Sequence, residues 1–234
     1  MGTQPFRIEL ADDHHIVGDA CEGSGPYYVF LHGLGSVRTG EKSESLRAHA
    51  EQRGQGFLRF DLRGHGESSG RLGRVAVSEL IADTIQVIER IGTCNLVGSS
   101  LGGLVSAHVA AARPDLVERL ALLAPAFGLM AQLGERLDAE GRLSTNDGVS
   151  FEVEPRVLKD AQELDEAGLP ARVQVPTLVI HGTDDDVIPH IVSERFHAAM
   201  PQQNKQLWIV PDGDHRLNTV HAEMWQRIDQ LPTS

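Results

Sequence analysis

Short apolar, β-branched runs alternate with stretches of helical hydrophobic period along this 234-residue chain, and no other feature of the sequence constrains its fold as strongly. The strand-like runs are Phe6 to Leu10, Ile16 to Ala20, Tyr27 to Leu31, Phe57 to Phe60, Cys94 to Val97, Leu120 to Leu123, Leu178 to Ile180 and Gln206 to Val210. Helical periods fall at Glu44 to Arg53, Glu79 to Ile91, Leu101 to Ala112, Val192 to Met200 and Thr219 to Leu231, with Ile81, Ile85 and Ile88 forming a stripe on the second. Strands separated by helices of this length need crossover connections, so the fold class is α/β, with a mostly parallel sheet covered on both faces. The first two runs alternate apolar with polar residues and suggest an edge hairpin. The alternation breaks between Ala126 and Pro170. There, two charged helical pieces flank Leu143 to Val153, a hairpin expected to turn at Asn146-Asp147-Gly148. The length suits one large domain. Residues 1–125 and 171–234 are therefore expected to form a single core, and residues 126–170 a short cap inserted into it.

With 33 acidic against 21 basic residues the net charge is −12, the wrong sign for a surface that neutralises phosphates, so no nucleic-acid partner is expected. The longest uncharged run, between Arg90 and Arg113, is interrupted by Asn95, Ser99, Ser100, Ser106, His108 and glycines, too polar to cross a bilayer. Charges at Arg7, Glu9, Asp12, Asp13 and Asp19 break the N-terminus before signal-peptide length, so a cytoplasmic location and no membrane partner are expected. Cys21 and Cys94 form neither a disulfide framework nor a zinc motif.

The strongest chemical signal is Cys94-Asn95-Leu96-Val97-Gly98-Ser99-Ser100-Leu101-Gly102-Gly103: a buried strand, a G-x-S-x-G pentapeptide, then a helix. A serine on such a turn projects its Oγ from the carboxyl edge of the sheet, and the next amide, that of Leu101, can donate to an oxyanion. A hydroxyl needs a base and an orienting acid, in the chain order Ser, acid, His. The loop after Val179-Ile180-His181-Gly182 carries Asp184, Asp185 and Asp186, and composition does not choose among them. Of the 11 histidines, His215 follows that loop in a polar Gly-Asp-His turn and is the expected base. His32, His65 and His181 follow strands and compete with it. His32 and His65 read as loop-shaping, His108 as packing, and His49, His197 and His221 as solvated. The second oxyanion donor is expected from Leu31-His32-Gly33-Leu34-Gly35, at the Leu34 amide.

Two rival patterns are weaker. Gly35 to Ser43 nearly spells a phosphate-binding loop, but Glu41 intervenes between Gly40 and Lys42, so nucleotide binding is not the leading reading. Asp184 to Asp186 with His190 cluster acidic and imidazole groups without any metal-motif spacing, so no metal and no cofactor are expected.

With these residues assembled, the chain resembles the α/β-hydrolase superfamily. The resemblance rests on Leu31 to Gly35, Phe60-Asp61-Leu62-Arg63-Gly64-His65-Gly66-Glu67-Ser68, Gly98 to Gly103, and His181 to Pro189 followed by Gly213-Asp214-His215. Within it the sequence is most similar to the small acyl-protein thioesterase and acyl-glucuronide esterase branch and its bacterial relatives, through Ala112-Arg113-Pro114, the Asp185-Asp186 pair before Val187-Ile188-Pro189, and Asp214-His215-Arg216. The resemblance implies Ser100 as nucleophile, His215 as base and Asp185 as acid, since the family's acid stands three residues after the glycine of an H-G-x-x-D pattern, here Gly182. A serine at position 100 argues against the dehalogenase and epoxide-hydrolase relatives, which use a carboxylate.

The resulting expectation is a serine hydrolase of carboxylic esters or thioesters that takes small to medium apolar acyl groups and needs no cofactor. Phe127, Leu129, Met130 and Phe151 are candidates for the substrate pocket. The alternatives are a serine aminopeptidase or carbon-carbon hydrolase of the same fold and, more distantly, a non-catalytic binding protein or a nucleotide binder.

Overall fold

The computed structural model describes residues 2–130, 132–145 and 148–233. Eight strands form the main sheet: β1 (Gln4–Glu9), β2 (His15–Cys21), β3 (Ser24–Leu31), β4 (Gln55–Phe60), β5 (Cys94–Ser99), β6 (Val117–Leu123), β9 (Thr177–Gly182) and β10 (Lys205–Val210). Two short strands, β7 (Arg142–Ser144) and β8 (Ser150–Glu152), pair with each other apart from it. The spatial order is β1-β2-β4-β3-β5-β6-β9-β10. The β1–β2 hairpin is antiparallel and joins β4 antiparallel, and every pairing from β4 to β10 is parallel. Every residue of β5 and of β9 is buried, as expected of strands covered on both faces.

The helices are α1 (Glu41–Gln52), α2 (Val77–Ile88), α3 (Leu101–Ala112), α4 (Pro155–Glu163), α5 (Leu169–Arg172), α6 (Ile191–Ala199) and α7 (His221–Asp229). On one face Leu46 and Ala50 of α1 join Met224, Trp225 and Ile228 of α7 against Tyr28, Phe57 and Val97. The other face buries α2 and α3 against Val29, Leu31, Leu58 and Leu96. The buried side of α2 is Val77, Leu80, Asp83, Thr84, Val87 and Ile88, while Ile81 and Ile85 pack only at its margin. The stripe read from the isoleucines is thus turned by about one residue, because Asp83 is drawn inward to Arg63. Glu79 closes the helix start by accepting the Ala76 amide at 2.7 Å.

Between β6 and β9 the chain leaves the sheet. A single 3-10 turn, Leu133–Arg136, stands where the first charged helical piece is expected, and α4 supplies the second. The hairpin is present as β7 and β8, closed by Thr145 N–H to Val149 O at 2.8 Å, and the expected turn residues Asn146 and Asp147 lie outside the described residues. Among the described residues no helix is long and apolar enough to cross a membrane.

The order of strands reverses at β3: β4 lies on one side of it and β5 on the other. In open α/β sheets the crevice for ligands lies outside the carboxyl ends of the strands at such a switch point. Here the loops leaving β3 and β5 are neighbours there, with Leu31 opposite Gly98 in register.

Candidate active site

Ser100 stands between β5 and α3 with φ 55° and ψ −117°, a region that residues with a side chain seldom occupy. The turn is tied to β6, since the Ser100 amide donates to Leu123 O at 2.9 Å and the Ala126 amide donates to Ser100 O at 3.0 Å. Gly98 makes it tight enough, because a Cβ there would sit 2.2 Å from Gly102 O.

The loop after β3 comes up against this turn, and a Cβ on Gly33 would lie 3.1 Å from Ser100 Cβ. Neither the Leu34 nor the Leu101 amide has an acceptor among the described residues, so both are available to an external oxygen. Leu34 shares a cavity wall with Ser100. His32 shapes this loop as expected. Its Nδ1 bonds Gly33 O at 2.8 Å and its Nε2 accepts the Leu62 amide at 3.0 Å, which fixes the tautomer with the proton on Nδ1. Burial, with His65 beside it, lowers its pKa to about 4.

Asp185 and His215 meet from adjacent strands. The loops after β9 and β10 are laced together, with Asp184 N–H to Gly213 O at 2.9 Å and Asp212 N–H to Thr183 Oγ1 at 2.8 Å. His215 Nδ1 lies 2.7 Å from Asp185 Oδ2, so it is protonated there and leaves Nε2 as an acceptor. Of the three aspartates composition left open, Asp185 alone is buried; its Oδ1 accepts the Val187 and Ile188 amides at 2.9 and 2.8 Å. Burial works against its ionisation, but the bonds from His181, His215 and the Ile188 amide outweigh it and hold its pKa far below the usual carboxylate range.

His181 is not a rival base but a second partner of this carboxylate. Its Nε2 faces two acceptors, Asp185 Oδ2 at 3.0 Å and Ile188 O at 2.9 Å, so the proton sits on Nε2, and Nδ1 accepts from Ser193 Oγ at 2.7 Å. The remaining histidines sort differently from their sequence reading in one respect. His49 is half-buried against Asp229 at 2.9 Å, and the Nε2 atoms of His197 and His221 are buried without a partner, because their helices pack against the sheet. His65 binds Arg63 O and His108 is buried in the core, as expected. His190 pairs with Glu194, and among the described residues no three His, Cys, Asp or Glu side chains gather as a metal could use.

Two cavities meet at Ser100 and His215. One, of about 320 Å³, has an apolar wall of Leu129, Met130, Leu133, Leu143 and Val187 and a polar one of Ser144, Thr145, Asp214 and Arg216, with the exposed Arg136 and Asp186 at its rim. A deeper apolar space of about 50 Å³ continues behind Leu34 and Leu101 to Phe151. Leu129 and Met130 therefore line the space that holds the serine, and Phe151 lines only the deeper one. Phe127 lines neither; it stacks on Phe196 of α6 at 4.1 Å between ring centres and is part of the core. The second cavity, about 440 Å³, holds Ser36, Lys42, Ser99, Arg216 and Asn218. Lys42 bonds Ser99 Oγ at 3.0 Å from the first turn of α1. The sequence marked that segment only as an incomplete phosphate loop, because nothing local says which cavity a lysine on a helix start will face.

Comparison with known proteins gives these elements a family. Over 84% of its length the chain is 28% identical to the mitochondrial palmitoyl-protein thioesterase ABHD10 of Bos taurus, covering 69% of that protein. It superposes on the α/β hydrolase domain-containing protein 10 from mouse with a TM-score of 0.84, at 23% identity over 98% of this chain and 100% of that one. It also superposes on Est1E from Butyrivibrio proteoclasticus, described with bound ferulic acid, with a TM-score of 0.83 at 20% identity over 95% and 98% of the two chains. The family model described as serine aminopeptidase, S33, matches residues 27–145 and 155–219. The chain thus belongs to the serine aminopeptidase S33 family of the α/β-hydrolase superfamily, and it is a hydrolase with esterase-like and thioesterase-like relatives.

Proposed function

We propose that the protein is a serine hydrolase of carboxylic esters or thioesters that works by acyl transfer. The observation that carries this reading is the wall shared by Ser100 and His215, one on a strained turn and the other with its Nδ1 proton committed to buried Asp185. In the first half-reaction His215 Nε2 takes the Ser100 proton as Oγ bonds the carbonyl carbon. The carbonyl oxygen becomes an oxyanion facing the Leu34 and Leu101 amides. The imidazolium then gives its proton to the departing alcohol or thiol. In the second half-reaction water loses a proton to the same nitrogen, bonds the acyl carbon and frees the acid and the serine. Asp185 keeps the ring oriented and stabilises the imidazolium without taking its proton.

The apolar wall of the cavity beside Ser100 suits an acyl group, and residues 126–170 act in this reading as the cap that closes it. A thioester is included because the bovine relative is a palmitoyl-protein thioesterase. A peptide substrate is the second reading, favoured by the description of the family model as a serine aminopeptidase.

A fluorophosphonate probe should label the wild type and leave Ser100→Ala unlabelled, and nitrophenyl esters from acetyl to palmitoyl should show an optimum in acyl length. Equal labelling of the variant would refute the serine reading. Faster turnover of aminoacyl arylamides than of any ester or thioester would hand the assignment to the peptidase alternative.

A further inference from the structure

An acyl-transfer site must house two halves of its substrate, and this molecule offers two unlike spaces on either side of Ser100. The space under Leu129, Met130 and Leu143 is suited to hydrocarbon. The larger one is walled by the first turn of α1 and the loop after β10, with Lys42 inside it and Arg216, exposed, at the mouth where both spaces meet. Enclosing an ammonium group is costly unless an opposite charge compensates it. Yet the Lys42 side chain donates to a neutral oxygen, Ser99 Oγ, and among the described residues no carboxylate lies within ion-pair distance of its Nζ. The nearest acidic groups are otherwise engaged: Glu41 accepts from Asn218, Asp214 accepts the Leu217 amide at 2.8 Å, and Asp185 is filled by two imidazoles and two amides. Burial draws the Lys42 pKa down to about 8 against the more distant charges of Asp214, Asp185 and Glu41, so near neutral pH it still holds its proton, with no carboxylate in ion-pair contact among the described residues. Hydroxyl and amide groups of Ser36, Ser99 and Asn218 also line the wall, as do His215 and Glu41, whose carboxylate is taken up by Asn218.

We propose that this second cavity is a subsite for an anionic leaving group: the alcohol or thiol half of the substrate carries a carboxylate or phosphate, which Lys42 and Arg216 hold while Ser100 attacks the carbonyl. The inference rests on the acyl-transfer reading above. It also gives a use to the Gly35–Ser43 segment, whose lysine follows Glu41 in a register that does not suit a nucleotide but faces this cavity.

The test compares hexanoyl esters of phenol, of 4-hydroxybenzoate and of 4-hydroxyphenyl phosphate, each rate divided by that ester's own rate of hydroxide hydrolysis. The wild type should favour at least one of the two anionic esters by about tenfold in kcat/KM, mainly through KM, the worth of one charge-assisted hydrogen bond. Which of the two is favoured distinguishes a carboxylate from a phosphate. In Lys42→Met and, independently, in Arg216→Gln the ratio of anionic to neutral ester should fall towards one. A wild-type ratio of one or less for both anions, or a ratio unchanged in both variants, overturns the proposal. If no ester is cleaved, the acyl-transfer reading has failed, and calorimetric binding decides the subsite separately. Tighter binding of 4-hydroxybenzoate than of 4-hydroxybenzamide to the wild type and to Ser100→Ala, lost in Lys42→Met, supports it, and equal binding of the two compounds refutes it.

Discussion

Replacing Ser100 by glycine should abolish activity and at the same time make the protein harder to unfold. The serine occupies φ 55° and ψ −117°, where a Cβ is crowded against its own backbone. Such a residue stores about 1–3 kcal/mol, released when the Cβ is removed. Glycine gives back about 0.5–1 kcal/mol by loosening the unfolded chain, so the net gain is about 0–2.5 kcal/mol. For a chain of 234 residues, where 1 kcal/mol moves the midpoint by about 2–4 °C, this amounts to a rise of up to about 10 °C. Ser100→Ala is the control, since it deletes the hydroxyl and keeps the Cβ. Both variants should lose about 10⁶-fold in turnover if Ser100 acts with its base as one unit. Thermal unfolding by circular dichroism, wild type and both variants side by side, reads the comparison. If Ser100→Gly melts at or below Ser100→Ala, the turn is not strained and the reasoning from its dihedrals is wrong.

His181→Phe should lower kcat by about 10- to 100-fold with little change in KM, because one of the bonds that keep Asp185 ionised is lost; a change confined to KM would contradict that role. Arg63 holds buried Asp83 through two bonds of 2.8 and 2.7 Å, so Arg63→Met, which strands that carboxylate, should cost about 3–5 kcal/mol in urea unfolding. A loss under 1 kcal/mol would show that the pair contributes little. The Lys42 pKa, lowered by burial to about 8 from 10.5, means that between these values the unfolded chain binds the extra proton, so stability must rise with pH across that window. Wild type should therefore gain stability relative to Lys42→Met from pH 7.5 to 10, and parallel curves for the two would refute the assignment.

Much of the frame was legible because it depends on periodicity: strands buried on both faces read as solid apolar runs, and the glycines flanking Ser100 announce a turn with no room for side chains. The closeness of Leu34 to Ser100 also followed, since adjacent parallel strands deliver their loops to one edge. What stayed hidden depends on tertiary choice. Phe127 and Met130 look equally suited to a pocket, yet Phe196 claims the first and the second faces the cavity. His181 read as a competitor for the base because sequence shows that a histidine follows a strand but not which atom it will face. The α2 stripe was misplaced for a similar reason, as an aspartate counted as polar is pulled inside by an arginine 20 residues away.

The carboxylate of Asp185 has two acceptor contacts on each oxygen, and this limits how the molecule can breathe. Swinging the Thr183–Pro189 loop outwards would break the bonds of Asp185 to His181 and His215 and that of Ile188 O to His181, and the lacing to the Gly213 turn besides. That rim behaves as a fixed jamb. On the acyl-transfer reading, admission of a bulky substrate would fall instead to the 3-10 turn Leu133–Arg136 and the β7–β8 ribbon, so amide exchange there should be fast while Val187 and Ile188 stay protected.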